Sequence, residues 1–193
     1  MSLSSQVKIP EGRSLFNNNA PMLRTFKSRE LSFKLSAPWL QNLRSIEIGL
    51  LFPLSFVMDI LKKTPCLKSL VYAGHYGDDA YDPAMLDLTS FTLGPNIEKL
   101  KIGTGFNSCL EFIRCTIPQN DYTLHVSTSQ IDPHTSLESL SLYMTRHFQL
   151  HVPTHISLDL SHNFCFASRS ANGAEFSLRV PCAIFPVLLS LNL

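Results

Sequence analysis

A chain of 193 residues is long enough for one domain with a continuous core and short for two. Hydrophobic residues make up 45% and charged residues 16%, a balance that excludes disorder over most of the length. Sixteen Lys and Arg against fifteen Asp and Glu leave a net charge of +1, without the basic excess that neutralises phosphates, so no nucleic-acid partner is expected.

Residues 1–14 read as a flexible N-terminal segment, and Met1 to Pro10 lack the apolar core of a secretory signal. The most apolar window, Ile48 to Met58, is interrupted by Pro53 and stopped by Asp59. It falls short of the roughly 18 apolar residues of a membrane span, so no membrane partner is expected either.

From residue 15 onward one short phrase returns: an apolar residue, two polar or small ones, an apolar residue, any residue, another apolar one. It reads Leu43-Arg-Ser-Ile46-Glu-Ile48, then Leu67-Lys-Ser-Leu70-Val-Tyr72, Ile97-Glu-Lys-Leu100-Lys-Ile102 and Leu137-Glu-Ser-Leu140-Ser-Leu142. Weaker copies begin at Leu23, end at Leu160 and close the chain at Leu193. Pro21, Pro38, Pro65 and Pro95 stand just upstream of the phrase. Proline ends a preceding helix and feeds the chain into extended backbone, where residues spaced by two share one face of a strand. Strands are therefore expected near 24–28, 44–48, 69–73, 98–102, 138–143, 156–160 and 189–193, stacked in parallel. Between them, Leu54 to Lys63 predicts a helix with Phe56 or Val57, Ile60 and Leu61 on one face, and two lysines at its cationic-favouring end. Asn107 to Cys115 predicts a second, with Asn107 or Ser108 as N-cap. Tyr122 to Ser127 alternates well enough for an additional strand. Ser168 to Ala174 reads as a polar loop, and Glu175 to Val180 as a strand of unspecified pairing.

Strand, turn and helix in a recurring unit describe an α/β leucine-rich repeat over residues 15–193, an irregular solenoid with a parallel strand face and helices outside. The intervals between copies, 18 to 40 residues, spread on both sides of the regular repeat of roughly 20–29, and the long ones need extra elements. The asparagine that follows the strand in the common consensus occurs only at Asn163; elsewhere Leu31, Leu51, His75, Gly105 and Thr145 take its place.

The proline-anchored phrasing resembles the leucine-rich region of fungal F-box-like proteins. The residues that carry the resemblance are Leu15-Phe-Asn-Asn-Asn-Ala-Pro-Met-Leu-Arg24, Ala37-Pro-Trp-Leu-Gln-Asn-Leu-Arg-Ser-Ile46 and Val57-Met-Asp-Ile-Leu-Lys-Lys-Thr-Pro-Cys-Leu-Lys-Ser-Leu70. The resemblance implies a protein-binding module that selects targets for a cullin-type ubiquitin ligase. The F-box that would bind the ligase adaptor is not found in this sequence, so the adaptor is an expected partner only if an F-box is restored. An apolar last strand and a start inside a repeat-like phrase read as truncation at one or both ends.

The strand positions that alternate with the core pair should line a concave binding face for a protein partner: Lys27, Arg29, Glu47, Val71, Ala73, Lys99, Lys101, Ser141, Tyr143 and Asp159. His147, His151, His155, His162 and Cys165 would suit zinc only if a helix aligned them, and Pro153 argues against one. Asp78, Asp79 and Asp82 lack the pattern of a calcium loop and read as a solvated turn. Cys115 or Cys165 with His125 or His162 carries no nucleophile signature, and Gly103-Thr-Gly105 is too short to cradle phosphate. No catalytic residue, cofactor or metal is therefore expected. A metal- or Cys/His-dependent enzyme using the C-terminal third, or a truncated product without independent function, are the rival readings. Trp39 reads as a core plug. Five cysteines without a C-x-x-C spacing point to a reducing compartment, cytoplasmic or nuclear.

Overall fold

The computed structural model describes residues 15–29, 33–49, 52–74, 91–93, 95–117, 122–128, 136–160 and 163–181. The expected N-terminal segment, the turn at Asp78 to Asp82, His162 and the strand at 189–193 lie outside them. Four short parallel strands open the chain: β1 (Thr25–Ser28), β2 (Ser45–Ile48), β3 (Ser69–Ala73) and, after the two-residue β4 (Phe91–Thr92), β5 (Lys99–Thr104). They fall where the repeated phrase places them. Helix α1 (Leu54–Lys63) connects β2 to β3, and α2 (Phe106–Cys115) follows β5. Strand β6 (Thr116–Ile117) pairs with β4 in a small separate ladder, and β7 (Thr123–Thr128) comes next. Helix α3 (Glu138–Leu150) precedes three longer strands, β8 (Pro153–Asp159), β9 (Asn163–Ser170) and β10 (Glu175–Pro181). The result is an α/β fold around one open eight-stranded sheet, ordered β1-β2-β3-β5-β7-β10-β9-β8.

Five neighbouring pairs run parallel, from β1 across to β10, and the last two are antiparallel. The parallel part is aligned residue for residue. Phe26, Ile46, Leu70, Leu100, Leu124 and Phe176 form one row, all buried. Ile48, Tyr72, Ile102, Val126 and Leu178 form the next. A register slip by one residue would turn every one of these side chains to the opposite face, so the apolar alternation fixes the pairing.

The entries to β2, β3 and β5 repeat a backbone motif. The Arg24 carbonyl accepts from the amides of Arg44 and Ser45, the Arg44 carbonyl from Lys68 and Ser69, and the Lys68 carbonyl from Glu98 and Lys99. The upstream prolines lie in turns or, at Pro38–Asn42, in a short 3-10 helix. That helix drives Trp39 into the core beside Phe16, Phe26 and Phe33, the plug its position suggested. Helix α1 buries Leu54, Phe56, Val57, Met58, Ile60 and Leu61 and carries Lys62 and Lys63 in its last turn. Helix α2 starts one residue earlier than expected, with Gly105 rather than Asn107 or Ser108 at its cap.

Three expectations are corrected. The phrase at Leu137 forms helix rather than strand: Leu140, Tyr143 and His147 share the buried side of α3, and Leu142 is exposed. Leu137 and Leu140, and then Leu140 and Tyr143, are spaced by three, which puts them on one side of a helix, and no Gly or Pro interrupts 138–150. The place left in the ladder is taken by β7, the strand read as an addition, which lies between β5 and β10. Strand β8, expected as a parallel rung at 156–160, pairs antiparallel with β9 at the sheet edge. The polar loop expected at 168–174 shrinks to a turn, with Gly173 at φ 88°, because β9 continues to Ser170.

Candidate functional site

One side of the sheet is covered by the apolar core and the other is half open. Along β1, β2, β3, β5, β7 and β10 every second residue is exposed or partly exposed. Register puts Lys27, Glu47, Val71, Lys101, His125 and Ser177 in one row across six strands. Lys99 lies in the adjacent row, beside Ser69 and Thr123. Asp159 stands on the same face at the far edge, aligned through Cys165 and Arg179 with Ser127. Arg29 follows β1 and is exposed, its backbone so close to Gly49 that a Cβ there would lie 2.8 Å from the Arg29 Cα. Ala73, at the end of β3, aligns with Gly103.

Ser141 and Tyr143 do not belong to this face. Both lie on α3, Ser141 exposed and Tyr143 buried against Phe176, its hydroxyl hydrogen-bonded to that of Tyr122. Burial pushes the Tyr122 hydroxyl up to about 12 and raises that of Tyr143 as well, so both stay neutral. The residues that sequence reasoning misses on the open face are His125, Ser177, Arg179, Arg169 and Glu175. Local patterns give their strands no pairing partner, although the alternation Tyr122-Thr-Leu-His-Val-Ser127 carries a signal for the first of them.

Charge on the face is mixed but not evenly paired. Lys27 and Glu47 form an ion pair at 2.9 Å, which holds the Glu47 carboxyl below its usual range, and Arg169 pairs with Glu175 at 3.0 Å. No carboxylate among the described residues pairs with Lys99 or Lys101, the two cations at the middle of the sheet. His125 shares a hydrogen bond with Ser177, and burial together with these lysines lowers its pKa against the opposing pull of Glu175. The centre of the face is therefore a positive patch of two lysines beside a neutral imidazole.

The Cys/His candidates are dispersed. Cys115 is buried in the core on α2, while His125 projects from the open face. Cys165 shares that face with His125, but β10 runs between their strands. His147 and His151 do come together, contrary to the argument from Pro153. Helix α3 runs to Leu150 and leaves the two buried rings 4.9 Å apart. His155 is exposed on β8, and no three His, Cys, Asp or Glu among the described residues are placed to hold a metal ion. No helix among the described residues is long and apolar enough to cross a membrane.

Thiol reactivity should follow burial. Cys109 is enclosed near the Thr104 carbonyl, and burial raises its thiol to about 12, whereas Cys66 is exposed in the turn after α1. At pH 8 a pKa of 12 leaves about one thiolate in ten thousand. Brief alkylation of the native chain should modify Cys66 and spare Cys109 until denaturant is added, as read by peptide mass spectrometry. Rapid native labelling of Cys109 would contradict its enclosure.

No protein-family model, curated protein or solved structure matches the chain. The fold and the face define its class on their own terms: an open, mostly parallel α/β sheet with one side sealed by apolar core and the other presented as a polar, centrally cationic surface.

Proposed function

We propose that the open face is a protein-binding surface, and that this chain is the target-recognition part of an F-box-type ubiquitin ligase subunit. In this reading β1, β2, β3, β5 and β7 are rungs of an irregular leucine-rich repeat. The observation that carries it is the row Lys27, Glu47, Val71, Lys101, His125 and Ser177 across six aligned strands. A stack of parallel strands presents such rows as one extended surface, which repeat proteins use for binding. Substituting Leu124 for Leu140 as the rung after Leu100 also brings the interval to 24 residues, inside the usual repeat range. Lys99 and Lys101, which no carboxylate among the described residues pairs, favour a target with an acidic surface, because complementary charge speeds encounter and fixes orientation.

The test is affinity purification from cells with quantitative mass spectrometry, comparing the natural chain with Lys99→Glu/Lys101→Glu. Both side chains are exposed on the strand face, so the double variant should fold. A target of this face should be recovered about tenfold less with the variant, and its binding to the natural chain should weaken with added salt. The ligase adaptor should be recovered only when an F-box is fused to the chain. Equal recovery of every partner by both forms would remove the open face as the binding surface, and adaptor capture by the unfused chain would contradict the absence of an F-box.

A further inference from the structure

The last strand of the sheet is unlike the others. Every residue of β8 after Pro153 is exposed, including Ile156 and Leu158, each with 57% of its surface open, followed by Leu160 at 42%. Register aligns Ile156 with Ser168 and Leu158 with Phe166 of β9, on the side where the rest of the sheet is sealed by core. Helix α3 reaches only as far as β9, where Phe148 meets Phe166. Beyond it the apolar side of β8 has no cover among the described residues. Natural edge strands are protected by charges, prolines, bulges or a covering element. Here Pro153 and a register shift stand at the very start of β8, and the stretch from His155 to Leu158 carries no carboxylate or lysine.

We propose that β8 is a homodimer interface, in which two copies of this chain join antiparallel, edge to edge, about a two-fold axis through Ser157. The argument for a second copy, rather than another occupant, is that the strand is complementary to itself in this register. In antiparallel pairing about Ser157, residue 156 opposes residue 158 of the other copy and residue 155 opposes residue 159. Ile156 then meets Leu158 of the second copy, twice, on the apolar side. His155 meets Asp159 of the second copy, twice, on the polar side. A two-fold interface requires this reciprocity: each contact from i to j is repeated from j to i. Pairing also satisfies the outward backbone donors and acceptors of β8 and turns two open sheets into one continuous sheet of sixteen strands, twice the eight of one copy. The open faces of both copies lie on the same side of that sheet, which makes the dimer a bivalent form of the binding surface.

The test is the mass of the full-length chain in solution, by sedimentation or light scattering, over about a hundredfold range of concentration. The natural chain should dimerise, and Leu158→Lys should be a monomer with an unchanged circular dichroism spectrum, since residue 158 is exposed in the single copy. Ser157→Cys should form a disulfide-linked dimer on mild oxidation, because only the residue on the axis meets its own counterpart at disulfide distance. Thr154→Cys, which would oppose Leu160, should give no more cross-link than the natural chain. Hydrogen exchange at 155–159 should slow as concentration rises. A monomer at all concentrations overturns the proposal, as does a dimer that survives Leu158→Lys. Concentration-independent protection of 155–159 in a monomer would assign the edge to another segment of the same chain and equally overturn it.

Discussion

Replacing Leu100 with alanine is expected to destabilise the protein by about 2–5 kcal/mol, the range for a buried leucine whose surroundings cannot close the cavity. Leu100 has no exposed surface and sits on β5 near the middle of the sheet, with Leu70 and Leu124 beside it in register. Backbone ladders on both sides hold those neighbours in place, so collapse around the missing atoms is limited. Since domains of this kind are stable by only about 5–15 kcal/mol, the loss should be plain in a urea titration, as a lower midpoint at unchanged slope. Leu142→Ala is the matched control. Leu142 closes a copy of the repeated phrase but stands on the exposed side of α3, so its loss should be within about 0.5 kcal/mol. Equal effects of the two substitutions would mean that the row from Phe26 to Phe176 is not the core.

The second large effect is expected with acid. His147 is buried beneath α3 among Tyr143, Phe148 and Phe176, and burial, with the neighbouring His151, lowers its pKa to about 4. Its Nδ1 has no hydrogen-bond partner among the described residues. In the unfolded chain the imidazole titrates near its ordinary value of about 6.5. Between these values the unfolded state binds a proton that the folded state refuses, so stability is full above pH 6.5, falls as the pH drops toward 4, and changes no further from this group below that. The loss can reach about 1.4 kcal/mol for every pH unit that separates the folded from the unfolded value; screening near the surface of α3 reduces the total to about 2 kcal/mol. His147→Phe keeps a ring against the same aromatic neighbours and should remove most of this loss, as measured by urea midpoints at pH 7 and pH 4.5. A variant whose stability falls with acid as steeply as that of the natural chain would place the proton elsewhere.

Where the phrase, a preceding proline and alternation all agree, local sequence is a reliable guide. Pro65 and Leu67-x-x-Leu70-x-Tyr72 announce β3 because a turn, an inward entry residue and two inward strand residues each leave their own mark. Leu137-x-x-Leu140-x-Leu142 leaves the same mark, yet folds as helix, because nothing before it forces an extended entry and Tyr143 and His147 continue the helical stripe. Strand β7 is harder to place for the converse reason. It has the alternation but an aspartate, Asp121, where the phrase needs an apolar entry residue. For the candidate face, Lys27, Glu47, Val71, Lys99 and Lys101 are legible from parity alone once their strands are recognised. His125, Ser177 and Arg179 are not, since joining β10 to β7 requires a long-range pairing that no local pattern encodes.

The paired acceptance of two amides by one carbonyl at Arg24, Arg44 and Lys68 has a consequence for how this architecture tolerates change. Strands β2, β3 and β5 are each indexed at their first residue against the strand beside them, so their alignment does not depend on the length of chain that delivered them. The 20 residues between Phe26 and Ile46 and the 30 between Leu70 and Leu100 arrive at the same alignment. Lengthening such a connection costs only loop-closure entropy, about 0.6 kcal/mol per doubling. The connections can therefore change in length and composition while the anchor points keep the exposed rows straight and the surface they form intact.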